Sequence, residues 1–243
     1  MSGYSPLRTP LLLAAFLSAS VLSFSQSPEK LHSAKFPSMA GDEKAFVPAG
    51  WMIEEKITGD VNADSIPDTV LKLIEVGWEK DERQENVENE GERIMLVLLG
   101  TADGHLRRVG FSDKLLQCGS CGGAFYGVMK APANVSLQKG VINVEQDYGS
   151  RVLSAWTFRL RYDAKLQKVM LIGIDWHSTD RATGESLSIS ENLLTGRRLT
   201  EKSQYDQKKD RHVAFSRKPG RALLKPMSLE QIDFLRLQEK FEQ

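Results

Sequence analysis

Apolar and polar residues alternate along much of this chain with a period of two, the spacing of half-buried β-strands. Ser154 to Tyr162 shows the pattern most cleanly. Trp156, Phe158, Leu160 and Tyr162 fall on one face, and Ala155, Thr157, Arg159 and Arg161 on the other. Gly140 to Tyr148 alternates in the same way, and Gly149-Ser150 between the two runs is a two-residue turn signal. A further strand, Val169 to Trp176, follows a turn around Asp163 to Gln167, and Thr195-Gly196-Arg197 marks one more turn. Earlier in the chain, Arg93 to Leu99 is a continuous apolar run that reads as a buried strand. Thr101-Ala102-Asp103-Gly104 turns it back into a return strand from Leu106 to Phe111. Thr69 to Trp78 places Val70, Ile74 and Val76 on one face, with Lys72 the exception, and Leu71 and Leu73 on the other. This strand too is expected to be covered on both sides. Trp51 and Ile53 mark a short strand before it. The pattern predicts an all-β fold, mainly an antiparallel meander, sandwich-like or partly propeller-like.

The two ends break the pattern. Residues 1–25 read as a signal peptide. Arg8 is the only charge before Glu29, an apolar stretch runs from Leu11 to Phe24, and Ser23-Phe24-Ser25 sets small residues for cleavage before Gln26. The stretch is shorter than the roughly 20 residues of a membrane span, and no cysteine follows it to carry a lipid. The expected location is therefore periplasmic or secreted, with no transmembrane segment after cleavage. Residues 26–45 read as a flexible arm lying on the domain, and 46–200 as the β domain. Residues 201–243 read as a charged linker and a C-terminal helix. In the last segment Ser228-Leu229-Glu230-Gln231 has the capping-box pattern and predicts a helix from Ser228 to Phe241.

Charge excludes more than it assigns. Thirty-two Lys and Arg balance 32 Asp and Glu, so no global field draws the chain to nucleic acid or to an anionic membrane. The acidic run Glu79 to Glu92 reads as a solvated loop. No Gly-x-Ser-x-Gly elbow, phosphate loop or His-Glu-x-x-His is present. The four histidines, His32, His105, His177 and His212, are scattered singly without ligand spacing. Asp147 and Asp175, near strand ends, are the acids a hydrolase of envelope polymers would use.

Two short motifs carry candidate chemistry. Asp60-Val61-Asn62-Ala63-Asp64-Ser65-Ile66-Pro67-Asp68 places Asp60, Asn62, Asp64 and Asp68 at positions 1, 3, 5 and 9, with the Ile66 carbonyl at position 7. That is the oxygen spacing with which a loop surrounds calcium, a hard cation that wants six to eight oxygens. Ser65 stands where glycine is usual, and Leu71 where an EF-hand carries its glutamate. Any affinity is expected to be weak, about 10⁻⁴ to 10⁻³ M. An ion-free turn is the competing reading, because Asp and Asn also bond their own backbone. The second motif is Cys118-Gly119-Ser120-Cys121-Gly122-Gly123. The leading expectation is a structural disulfide between Cys118 and Cys121, closing a tight glycine-rich loop in an oxidising compartment. A redox pair and a metal half-site are the alternatives, the last needing two more ligands.

The Asp60–Asp68 loop, followed by a strand, resembles the loop of FG-GAP/VCBS-type repeats. The order of that loop, the strand Arg93–Leu99, Cys-x-x-Cys-Gly-Gly, the strand Trp156–Tyr162 and Asn192–Arg198 is similar to a group of exported bacterial proteins with a single such loop. The resemblance implies an exported, β-rich, calcium-binding protein and no particular reaction. The leading expectation is a non-enzymatic protein that binds another protein or an envelope polymer. The alternatives are a thiol-disulfide protein using Cys118 and Cys121, and a cell-envelope hydrolase.

Overall fold

The structure is a computed structural model, described here for residues 35–78 and 90–242. Residues 1–25, expected to be a signal peptide, and most of the acidic run Glu79–Glu92 lie outside the described residues.

Two antiparallel sheets form the molecule, as the alternating pattern predicted. The first contains β1 (Met39–Ala40), β2 (Trp51–Gly59), β3 (Asp68–Glu75), β4 (Arg93–Gly100) and β5 (Leu106–Ser112), in the order β1-β5-β4-β3-β2. The second is an uninterrupted meander of seven strands. They are β6 (Ala133–Gln138), β7 (Val141–Gly149), β8 (Val152–Asp163), β9 (Lys168–Asp180), β10 (Glu185–Asn192), β11 (Arg197–Asp206) and β12 (Arg211–Arg221). A short β13 (Met227–Ser228) pairs with β9, and a helix α1 (Phe234–Phe241) ends the described chain.

The apolar faces of the two sheets meet in one core. Val70, Val97 and Leu99 of the first sheet join Val144, Phe158, Leu171 and Ile174 of the second. Beyond the first sheet's reach, α1 covers the same face of the second. Phe234 and Phe241 pack edge-on against Trp156, with ring centroids 5.5 and 5.3 Å away. The opposite face of the first sheet is covered too, by the N-terminal segment, where Phe36 and Phe46 pack against Leu71, Leu73, Leu96 and Leu98. This explains the two-sided burial of β3 and β4. It also shows that the arm lies on the domain from Phe36 onward, held by Asp42, which caps a 3-10 turn at Glu43–Phe46 by accepting from the amides of Lys44 and Ala45. Among the described residues no helix is long and apolar enough to cross a membrane.

Two expectations need correction. The segment from 201 was expected to be a charged linker, but Arg197–Asp206 and Arg211–Arg221 form a long hairpin that widens the second sheet. Nearly all of β12 is exposed, and the more covered positions of β11, among them Arg198, Thr200 and Ser203, are polar, so no apolar alternation marks the hairpin. The C-terminal helix is also shorter than expected. Ser228 is held in β13 opposite Met170, and its capping-box contact, the Ser228 amide donating to Gln231 Oε1 at 2.9 Å, closes only a 3-10 turn. The α-helix begins at Phe234 with Asp233 as its N-cap.

Candidate functional site

The Asp60–Asp68 motif is the connection of the β2–β3 hairpin, with Gly59 paired to Asp68 at its base. The loop winds around its first carboxylate. Asp60 Oδ1 accepts from the amides of Ala63 (2.7 Å) and Asp64 (3.2 Å), and Oδ2 from Ser65 (3.0 Å). Asp64 Oδ1 accepts from the Ile66 amide at 2.8 Å, and its Oδ2 from the Asn62 amide group at 2.7 Å. The Asn62 carbonyl oxygen accepts from the Asp64 amide at 3.2 Å. To wind this tightly, Ala63 and Ser65 adopt left-handed backbone conformations, with φ of 64° and 66°. A glycine at 65 would reach that region without steric cost.

Asp68 behaves differently. It is fully buried, and its two oxygens accept from the Val61 amide (2.7 Å) and from the Gly100 amide at the end of β4 (2.8 Å). Burial raises its pKa above the ordinary carboxylate value, against the lowering effect of those amides. Asp68 thus pins the loop's base to β4. Asp60 and Asp64 are exposed, and a carboxylate offers about four lone-pair positions, so both keep capacity for a cation. Asn62 is joined to them through its bonds to Asp64, and side-chain oxygens of this kind are the ligands a hard cation takes.

The Cys118-Gly119-Ser120-Cys121 segment forms the other candidate. Cys118 and Cys121 are disulfide-bonded, with Cα atoms 5.1 Å apart. Cys118 is buried, whereas Cys121 is exposed. The glycines let three neighbours close on the loop. A Cβ at Gly119 would lie 2.6 Å from the Trp78 ring, and one at Gly123, where φ is +72°, would lie 2.6 Å from the Gly149 carbonyl oxygen. Backbone bonds run outward on both sides, from the Gly119 amide to the Gly91 carbonyl (2.8 Å) and from the Gly149 amide to the Gly122 carbonyl (3.0 Å). The Tyr126 hydroxyl, four residues after Gly122, donates to Asp147 Oδ1 at 2.6 Å. Burial and that carboxylate push its pKa up to about 12.

Asp147 and Asp175 are not brought together. Asp147 lies on β7 and holds Tyr126. Asp175 lies on β9, beyond β8, and pairs with Arg159 and Ser190. His177 and His212, which looked isolated in sequence, do approach, with ring centroids 6.5 Å apart. Ser186 and Thr179 link them, through Ser186 Oγ to His212 Nδ1 (3.2 Å) and Thr179 Oγ1 to His177 Nε2 (2.8 Å). Burial, and then His212, keep the pKa of His177 below the ordinary imidazole value.

A buried ionic cluster had only one hint in the sequence, the misplaced Lys72. A β-bulge at Glu54 turns that carboxylate inward, where Arg93 donates to both its oxygens at 2.8 and 2.9 Å. Lys130 lies 2.9 Å from Glu54 Oε1, and Lys72 bonds Glu55 and the Ala133 carbonyl, each at 2.7 Å. Burial raises the Glu54 pKa, but the bonds from Arg93 and Lys130 outweigh it and leave the carboxyl below its usual range. With Arg93 also bonded to the Gln117 carbonyl, the cluster seats the segment that leads into Cys118. Comparisons with protein families, curated proteins and solved structures return no match to this chain.

Proposed function

We propose that the protein is an exported, non-enzymatic binding protein whose Asp60–Asp68 hairpin is ordered by calcium and whose β11–β12 hairpin engages an acidic partner. The observation that carries the binding role is the hairpin itself. Between Arg197 and Arg221 it has nine Lys and Arg against three Asp and Glu, although the whole chain is neutral. Phe215 is 67% exposed on it, and Tyr205 and Leu199 are exposed as well. Two open concavities lie along it, one lined by Arg197, Arg198 and Pro219, the other by Tyr205, Lys208 and Phe215. A basic, partly apolar surface of this kind fits an acidic partner with some apolar content. Among the described residues β12 pairs only with β11, but Lys218, Pro219 and the register shift around Phe215 blunt it against strand addition. Recognition through the faces of the ribbon is the better fit.

Polyglutamate is a simple probe of the hairpin. Binding is expected to weaken steeply with salt and to be lost in Arg217→Glu/Lys218→Glu, with the melting temperature unchanged. Equal binding by the double variant would remove the hairpin from the proposal.

The calcium role is supported by the loop spacing, the exposed carboxylates of Asp60 and Asp64, and the likeness to FG-GAP/VCBS loops. Calcium would clamp the hairpin rather than take part in a reaction. With an affinity of about 10⁻⁴ to 10⁻³ M, 10 mM calcium should stabilise the fold by about 1.4 to 2.7 kcal/mol. Asp64→Ala should abolish that gain. Calorimetry and melting in calcium against chelator would measure it, and no heat and no shift up to that concentration would make the loop a plain turn.

A further inference from the structure

We infer that, once its disulfide is reduced, the Cys118–Cys121 loop becomes a binding site for a soft divalent cation of the zinc class, with Glu90 as third ligand. This inference is independent of the calcium and hairpin readings. From sequence, the cysteine pair lacked further metal ligands, and Glu90 belonged to a solvated acidic run. The structure brings its carboxylate to the two sulfurs: one ligand atom from each of Glu90, Cys118 and Cys121 lies within 4.8 Å of the others. Glu90 Oε2 is 3.9 Å from Cys118 Sγ.

The approach is built in. Ser120 holds the Glu90 carbonyl twice, through its amide (3.1 Å) and its hydroxyl (3.2 Å), so Glu90 is tied to the cysteine loop by backbone contacts independent of the disulfide. The Gly119 amide anchors to Gly91, and the Ala131 amide anchors to the Gly119 carbonyl at 2.8 Å. These bonds keep the loop in place when the sulfurs separate. Cys121 and Glu90 are exposed and leave an entry path, while Cys118 is buried and supplies a sheltered ligand.

The chemistry of the donors selects the ion. Two thiolates favour a soft or borderline cation over calcium or magnesium. Two sulfurs and one carboxylate make three protein ligands with a fourth position open, the pattern of an accessible zinc site. The sulfurs must part to about 3.8 Å, the edge of a tetrahedron with bonds of about 2.3 Å. The Cα separation of 5.1 Å leaves this to side-chain rotation. The redox step balances with a dithiol reductant. The sulfur–sulfur bond takes up two electrons and two protons to give two thiols, and the reductant becomes a disulfide. Cation binding then displaces the two thiol protons into solvent. Exchange with a disulfide oxidant would re-form the sulfur–sulfur bond, pass the two electrons to that disulfide to give two thiols with protons from solvent, and release the ion.

The test uses the full chain, reduced with dithiothreitol, freed of reductant under anaerobic conditions and compared with the oxidised chain. Zinc is titrated against a chromophoric chelator, and cobalt is used in parallel to reveal sulfur-to-metal charge-transfer absorption. One equivalent of zinc is expected on the reduced chain and none of comparable affinity on the oxidised one. Glu90→Gln should weaken binding at least about tenfold while leaving two titratable thiols, in line with the loss of a metal-holding contact. The proposal is overturned by equal uptake in both redox states, by a reduced chain that takes up no zinc whether or not it keeps its native circular dichroism, or by full affinity in Glu90→Gln.

Discussion

The two candidate loops are both short, and their sequences both look like ligand sites, but they are held in opposite ways. The Asp60–Asp68 loop is shaped from within. Its carboxylates accept from its own amides, and Ala63 and Ser65 accept left-handed backbone to let them do so. One residue, Asp68, ties it to the rest of the fold by a side-chain contact to Gly100. The Cys118–Gly123 loop is shaped from outside. Trp78, Gly91 and Gly149 close on a backbone that glycine has stripped of side chains, and the disulfide adds a short cross-link. On the chain-entropy account, closing so short a loop contributes only about 2 kcal/mol. A loop shaped by its own carboxylates can be reshaped by a cation. A loop shaped by its neighbours keeps its form while the chemistry at its tip changes.

The sharpest way to break this contrast is to give the second loop a side chain it has no room for. Gly123→Val adds a Cβ that would sit 2.6 Å from the Gly149 carbonyl oxygen, at a φ of +72°. Backbone strain and overpacking together should cost about 4 kcal/mol, measured by urea unfolding. A loss below about 1 kcal/mol would mean that the loop relaxes freely and is not moulded by its surroundings. Asp68→Ala is the matching change in the first loop. It leaves the Val61 and Gly100 amides without their carboxylate and should cost about 3 kcal/mol. Asp68→Asn should fall between, since only one of its oxygens remains as an acceptor. If Asp68→Ala were nearly neutral, the loop would hold itself without its anchor to β4.

How much of this was legible depended on where each residue's partner lies. β8 could be read directly because its apolar face meets a single core, so alternation and burial coincide at Trp156, Phe158 and Leu160. The β11–β12 hairpin could not, because β12 faces solvent almost throughout and the covered positions of β11, such as Arg198, Thr200 and Ser203, are polar. The donor pattern of the Asp loop is local and was visible. The role of Asp68 was not, because its second partner is 32 residues away. Glu90 was hidden for the same reason. Its acidic neighbours place it in a solvated run, and only the fold brings it to Cys118, 28 residues on. The capping box at Ser228 was real as a hydrogen bond, but a strand pairing to β9 decided that no helix would start there.

The smallest effect offers the finest test of the first loop. Ser65 occupies a left-handed conformation with φ of 66°. An L-residue there costs about 1 to 2 kcal/mol relative to the right-handed region, and glycine escapes that cost while losing more freedom on folding. Ser65→Gly should therefore stabilise the protein by about 0.5 to 1 kcal/mol, measured as a shift in the urea midpoint at unchanged slope. The gain should appear in chelator as well as in calcium, because the strain belongs to the backbone around Asp60. A gain seen only in calcium would mean that the ion, and not the Asp60 carboxylate, imposes the left-handed turn. The loop would then be ordered by its ligand, and its contrast with the Cys118–Gly123 loop would be larger still.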